Sequence, residues 1–319
     1  MRELSAALVR YDRTASLLDG VTTIDGYDLQ IESLPPSTIF AQMAEAPKYD
    51  IAEMSLAAFA HLSATERCPL VGIPVFLSRA FRHSMVYVRN DANINRPEEL
   101  NGRRIAIREW GMTALVWIIG ILQDEYQFDL ASVQWVVLRK PRAAIKPPPG
   151  VQLHYAEEGE SISTLLQSGR VDAALFHERL SEFEHDNRTV RRLFEDYATV
   201  ERDYYLRTRV HPQMHCVVVR KALVQELPEL VRELYLAFLE AQEIARNELL
   251  KSGTFTVMLP FLQHHVEEAQ RQFGHDWWPY GLAANRSALQ LFLRYVHEQG
   301  LTDSQLEPET LFAAAEVHS

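Results

Sequence analysis

The chain has 319 residues, of which 47% are hydrophobic and 24% charged, and carries a net charge of −11. That balance describes an ordinary globular protein with room for two domains, and its sign argues against nucleic acid or an anionic membrane as a partner of the whole chain. The two cysteines, Cys68 and Cys216, sit in or beside apolar runs and read as buried thiols, so neither a disulfide framework nor a Cys-based zinc site is expected.

The first residues, M-R-E-L-S-A-A-L-V-R, contain no long apolar core of a secretory signal, and a cytoplasmic location is expected. The longest apolar run, Ala114 to Leu122, falls far short of the ~20 residues of a membrane span. Leu4 to Val9 reads as a strand ending at Tyr11-Asp12-Arg13-Thr14, which puts Arg13 at a strand's C-terminal end. Tyr27 to Leu34 alternates as a second strand, and Pro35-Pro36 stops it ahead of a short helix over Ser37 to Ala44. Tyr49 to Met54 is a third strand, and Ser55 caps the helix after it. Strands alternating with helices predict an α/β protein with a mostly parallel sheet.

The stretch Pro74 to Val88 joins two apolar strands and carries Arg79, Arg82 and His83. Arginines three apart on one helical turn would aim their forks the same way, an arrangement suited to carboxylates. Further strands are expected over Arg103–Ile107, Val133–Leu138, Val171–Phe176 and Met214–Arg220. A helix over Thr113 to Tyr126 is apolar nearly all round, and its N-terminus is a ready anion site. Ser161 to Gly169 reads as a short helix, and Lys140 to Gly150, with its prolines, as a loop. Apolar positions spaced three and four apart predict one long amphipathic helix from Leu223 to Leu250, and Leu289, Phe292, Leu293 and Val296 mark another. Two α/β lobes fit this order: residues 1–88 with 213–319, and residues 89–212. Two extended crossings, Val86–Asn90 and His215–Arg220, would join them, with a ligand cleft between the lobes.

Several strings then resemble the 4,5-dihydroxyphthalate decarboxylase family: Tyr11-Asp12-Arg13-Thr14, Ala52-Glu53-Met54-Ser55, Pro74-Val75-Phe76, Phe81-Arg82-His83-Ser84, Met112-Thr113, Asp203-Tyr204-Tyr205, Met214-His215 and Trp278-Pro279-Tyr280-Gly281. The similarity runs in order through nearly the whole chain. It implies a type 2 periplasmic-binding-protein-like fold and loss of carbon dioxide from 4,5-dihydroxyphthalate to give protocatechuate. Phe176-His177-Glu178-Arg179-Leu180 keeps an arginine but has His177 and Glu178 where relatives tend to have small residues and prolines, and His211 stands where an apolar residue is expected. These departures leave a different aromatic acid open as substrate.

Such a decarboxylation needs a base near the phenol, an acid near the carbon that loses its carboxylate, and cations for the carboxylates. His83, His215 and Glu53 are the candidates for proton transfer. Arg13, Arg79 and Arg82 are the candidate cations, joined by Ser55 and Thr113 as carboxylate donors, Trp110 and Trp278 as ring-stacking groups, and His177 and Arg179 near the substrate. No organic cofactor is expected. A histidine–carboxylate metal site from His83, His215 and Glu53 stays open, although no H-E-x-x-H or paired-cysteine motif supports it. The expected partner is a small aromatic carboxylate, with a homo-oligomer left open. A non-catalytic binding protein of the same fold is the competing function.

Overall fold

A computed structural model describes residues 1–44, 46–65, 67–141, 145–180 and 189–314. The chain forms two compact units. Unit 1 comprises residues 1–78, 215–289 and 307–319, and unit 2 comprises 79–214 and 290–306. The chain therefore divides at 78/79 and 214/215, where sequence alone suggested 88/89 and 212/213. Residues 290–306 go with unit 2 because Phe292 and Tyr295 pack on Trp117 there.

Unit 1 opens with strand β1 (Arg2–Leu8), helix α1 (Asp12–Leu18), strand β2 (Tyr27–Ser33), helix α2 (Pro36–Ala44), strand β3 (Ile51–Ser55), helix α3 (Leu56–Ser63) and strand β4 (Leu70–Arg79). β1 runs parallel to β2 over its whole length, from Arg2 opposite Tyr27 to Leu8 opposite Ser33, and parallel to β3 on its other side. Arg13, expected at a strand end, lies in the first turn of α1. β4 continues through Arg79 and a 3₁₀ turn begins only at His83. Arg79 and Arg82 thus share no helical turn, because the nearly continuous apolar run of β4 extends the strand.

Unit 2 holds β5 (Val86–Arg89), β6 (Arg104–Ile107), α4 (Thr113–Tyr126), β7 (Gln134–Val137), β8 (Gln152–Tyr155), α5 (Ile162–Gln167), β9 (Ala173–Leu175), β10 (Val190–Arg192) and α6 (Tyr197–Thr208). Among the described residues its sheet has the order β10-β5-β9-β6-β7-β8. β6, β7, β8 and β9 are parallel, and β5 is antiparallel to both β9 and β10. α4 is buried from Leu115 to Leu122, as its all-round apolar sequence predicts.

β11 (Gln213–Arg220) then brings the chain back to unit 1 and inserts between β3 and β4, completing the order β2-β1-β3-β11-β4. The helices α7 (Lys221–Glu226), α8 (Leu230–Leu250), α9 (Leu262–Phe273), α10 (Leu282–Glu298) and α11 (Pro308–Leu311) follow. The expected long helix from Leu223 is in fact two helices, interrupted at Leu227-Pro228-Glu229, because a proline lacks the N–H that a helix interior needs. α8 buries Leu230, Leu234, Phe238 and Ala241 against Leu17 of α1 and Val217 and Val219 of β11, which forms the core of unit 1. Among the described residues no helix is long and apolar enough to cross a membrane.

Candidate active site

In unit 1 the sheet register places a carboxylate beside an imidazole. β3 and β11 are antiparallel, with Glu53 opposite Val217 and His215 opposite Ser55. His215 is therefore the diagonal neighbour of Glu53 on the same face of the sheet. Its Nδ1 lies 2.6 Å from Glu53 Oε1. Glu53 is fully buried, and a buried carboxylate must be compensated by donors. Tyr11 Oη donates to the same Oε1 at 2.9 Å, and the Val9 N–H donates to Oε2 at 3.2 Å. Both oxygens of the carboxyl therefore have partners, Oε1 the phenol and the imidazole and Oε2 the backbone N–H. Glu53 holds the His215 proton on Nδ1 and leaves Nε2 for chemistry. Phe40 of α2 meets the imidazole edge-on at 4.9 Å and 77°, which fixes the plane of the ring.

Tyr11 is itself clamped. The Arg13 guanidinium sits 4.1 Å from the Tyr11 ring centroid and 4.5 Å from that of Trp278. Arg13 Nε donates to the Leu77 carbonyl at 2.6 Å and Nη1 to Asp12 at 2.9 Å. Trp278 Nε1 donates to the Phe76 carbonyl at 2.8 Å. Burial and the neighbouring Glu53 push the Tyr11 phenol far above its usual range, so it stays protonated and donating. Burial, and then Glu53, also raise the Cys216 thiol well above its usual value. Ser55 caps α3, with its Oγ accepting from the Ala58 N–H at 3.4 Å.

The remaining candidates lie in unit 2. Arg82 donates through Nε to Met214 Sδ at 3.3 Å, and burial lowers its pKa to about 10. Among the described residues no carboxylate lies within ion-pair distance of it. It lines a small cavity of about 20 Å³ together with Arg108, Met112 and His177, at the C-terminal ends of β6 and β9 and beside the start of α4. Thr113, the first residue of α4, is buried. Arg79 donates through Nη1 to the His211 carbonyl at 3.1 Å. His211 stacks on Phe81 at 4.8 Å, and burial, with Arg79 adding to it, lowers its pKa to about 3. His177 lies 3.3 Å from Glu178, which also pairs with Arg108 at 2.7 Å, while Arg179 is exposed.

Two expected site residues belong instead to the core of unit 2. Trp110 is buried, donates its Nε1 proton to the Gln299 carbonyl at 3.2 Å and packs edge-on against Trp135, so its ring has no face for a ligand. His83 is fully buried between Phe194 and Tyr204, at 5.3 and 5.4 Å. Its Nδ1 is 3.9 Å from Glu201, and burial lowers its pKa to about 4. A neutral imidazole closed in this way is not placed to protonate a substrate. His83 also lies in a different unit from the Glu53–His215 pair. Among the described residues no group of three or more His, Cys, Asp and Glu side chains is arranged to hold a metal ion. Sequence alone gives Tyr11 no role beyond its place in the string Tyr11-Asp12-Arg13-Thr14 and does not single out Phe40. The one available signal was the position of Tyr11 at the end of β1, next to Arg13.

The architecture is that of the periplasmic binding proteins: a periplasmic sulfonate-binding protein from Methylobacillus flagellatus superposes with a TM-score of 0.60 at 15% identity, covering 98% of this chain and 92% of that one. No family model matches the chain. It is 37% identical over 323 residues to a 4,5-dihydroxyphthalate decarboxylase from Comamonas testosteroni, covering 99% of this chain and 98% of that protein. To a 4,5-dihydroxyphthalate decarboxylase from Pseudomonas putida it is 34% identical over 208 residues, covering 63% of this chain and 81% of that one. The chain belongs to the 4,5-dihydroxyphthalate decarboxylase family.

Proposed function

We propose that the protein is a carboxy-lyase that converts 4,5-dihydroxyphthalate to protocatechuate and carbon dioxide, with His215 Nε2 as the proton-transfer atom. The observation that carries this reading is the Glu53–His215 pair in a chain alike over 99% of its length to a decarboxylase of that substrate. In the substrate each carboxylate has a hydroxyl para to it. Electrons pushed from that hydroxyl raise the electron density at the carbon bearing the carboxylate. A proton adds to that carbon, the bond to the carboxylate breaks, and carbon dioxide leaves with the ring restored. The ring's own hydroxyl serves as the electron source, so the step calls for no organic cofactor. His215 as imidazolium supplies the proton and, once neutral, can take one back from the phenol, while Glu53 stabilises the charged form throughout.

The test is turnover and binding of 4,5-dihydroxyphthalate by His215→Asn, assayed with and without a chelator. Loss of a general acid lowers turnover by ~100- to 10,000-fold, and substrate binding is expected to persist, with the chelator changing neither. A variant that keeps turnover within about tenfold of the parent would remove His215 from the chemistry.

A further inference from the structure

We infer that Tyr11 is a positioning residue that sets how firmly the Glu53–His215 pair holds its proton, and that Arg13 and Trp278 act on the pair through Tyr11. This rests on the reading of His215 as the proton-transfer group. The geometry is specific: Tyr11 Oη and His215 Nδ1 compete for one carboxylate oxygen, Glu53 Oε1, at 2.9 and 2.6 Å. Charge that Oε1 gives to the phenol is charge it cannot offer to the imidazolium. A weaker phenol donor leaves a more basic carboxylate, which holds His215 protonated to higher pH. A stronger donor does the reverse.

The phenol is held on target from its far side. The Arg13 guanidinium lies over the Tyr11 ring and over the ring of Trp278. The Nε and Nη1 of that guanidinium are engaged by Leu77 and Asp12. Arg13 and Trp278 are therefore built as a clamp on Tyr11. Gln242 Nε2 donates to the Trp278 carbonyl at 2.5 Å, which ties the clamp to α8. The titratable and charged groups that face the pair among the described residues are Tyr11 and Arg13 from α1 and its approach, and Cys216 from β11, with a Ser78 hydroxyl from β4 on the phenol. Phe40 from α2 contributes only its ring edge. Burial keeps the Cys216 thiol protonated, and Tyr11 is the group whose donor strength a substitution can vary.

The experiment is an NMR titration of ring-labelled His215 in the full chain, comparing the parent with Tyr11→Phe and with site-specific 3,5-difluorotyrosine at position 11. Tyr11→Phe is expected to raise the His215 titration midpoint by about half a pH unit or more. Difluorotyrosine, a stronger donor that keeps the ring and its clamp, is expected to lower it. The alkaline limb of the turnover–pH profile should move with the midpoint in each case, since the proposed donor is active while protonated. A midpoint that stays put with difluorotyrosine, or moves in the same direction in both proteins, overturns the inference even where Tyr11→Phe fails to fold. Midpoints that move as expected while the turnover profile stays still would keep the coupling and remove His215 from catalysis.

Discussion

A histidine whose cation is disfavoured by burial makes folding depend on pH, and His83 is such a residue. Its pKa falls on folding from the ordinary 6.5 to about 4, because burial disfavours the cation, with Glu125 opposing and Arg207 adding to the shift. The unfolded chain therefore binds a proton between those values and the folded chain does not. Stability is full above pH ~6.5, falls as the pH drops through the window and levels off below ~4, a loss of roughly 3 kcal/mol from this residue. His211, lowered to about 3 by burial and Arg79, adds in the same direction. Urea unfolding at neutral and mildly acidic pH should show the loss, and His83→Phe, which keeps the ring contacts to Phe194 and Tyr204, should shrink it. Equal pH dependence in parent and variant would refute this account. The sequence showed His83, His215 and Glu53 as chemical groups but not their surroundings. Glu53 and His215 stand out as polar residues in apolar strands, whereas His83 sits in a link whose burial depends on Phe194 and Tyr204, far along the chain.

The helix α4 shows how packing overrides local preference. Gly120 lies in its interior, where alanine would stabilise an isolated helix by about 1 kcal/mol. A Cβ at Gly120 would come within 2.3 Å of the Tyr295 ring. That ring cannot swing aside freely, since its hydroxyl donates to Asp124 at 2.6 Å and its edge meets Trp117 at 5.9 Å. Overpacking of this kind typically costs ~1–3 kcal/mol, so Gly120→Ala is expected to lower stability despite its better helix propensity, as thermal unfolding would show. A neutral or stabilising result would mean that the ring shifts cheaply. The periodicity of α10 revealed an apolar stripe in the sequence, but a stripe does not name its partner. For the same reason residues 290–306 could not be assigned to unit 2 before their contacts were known.

At the scale of the molecule, unit 2 is discontinuous. Its core needs Phe292 stacked on Trp117 at 5.1 Å, and Gln299 both accepts from Trp110 and donates to the Val116 carbonyl at 2.9 Å. A fragment of residues 79–214 alone would leave these partners missing. It is expected to lack the near-ultraviolet circular dichroism of packed tryptophans and to melt without a cooperative transition. Joining residues 290–306 to it through a flexible linker should restore both signals. A fragment that folds cooperatively by itself would refute the division. Sequence gave the two α/β lobes because strand and helix periods are local. The register that sets His215 diagonal to Glu53 depends on β11 entering between β3 and β4, a pairing across 162 positions that no local pattern encodes.

That insertion also has a consequence for biosynthesis. A ribosome adding roughly 5–20 residues per second needs about 8–30 s to travel the 162 positions from Glu53 to His215. Through that interval β3 and β4 have no strand between them, and the carboxylate destined for burial has no imidazole to meet. The nascent chain thus carries open strand edges and a carboxylate without its imidazole partner while all of residues 79–214 are being made. The emergence of β11 is the event that permits unit 1 to close.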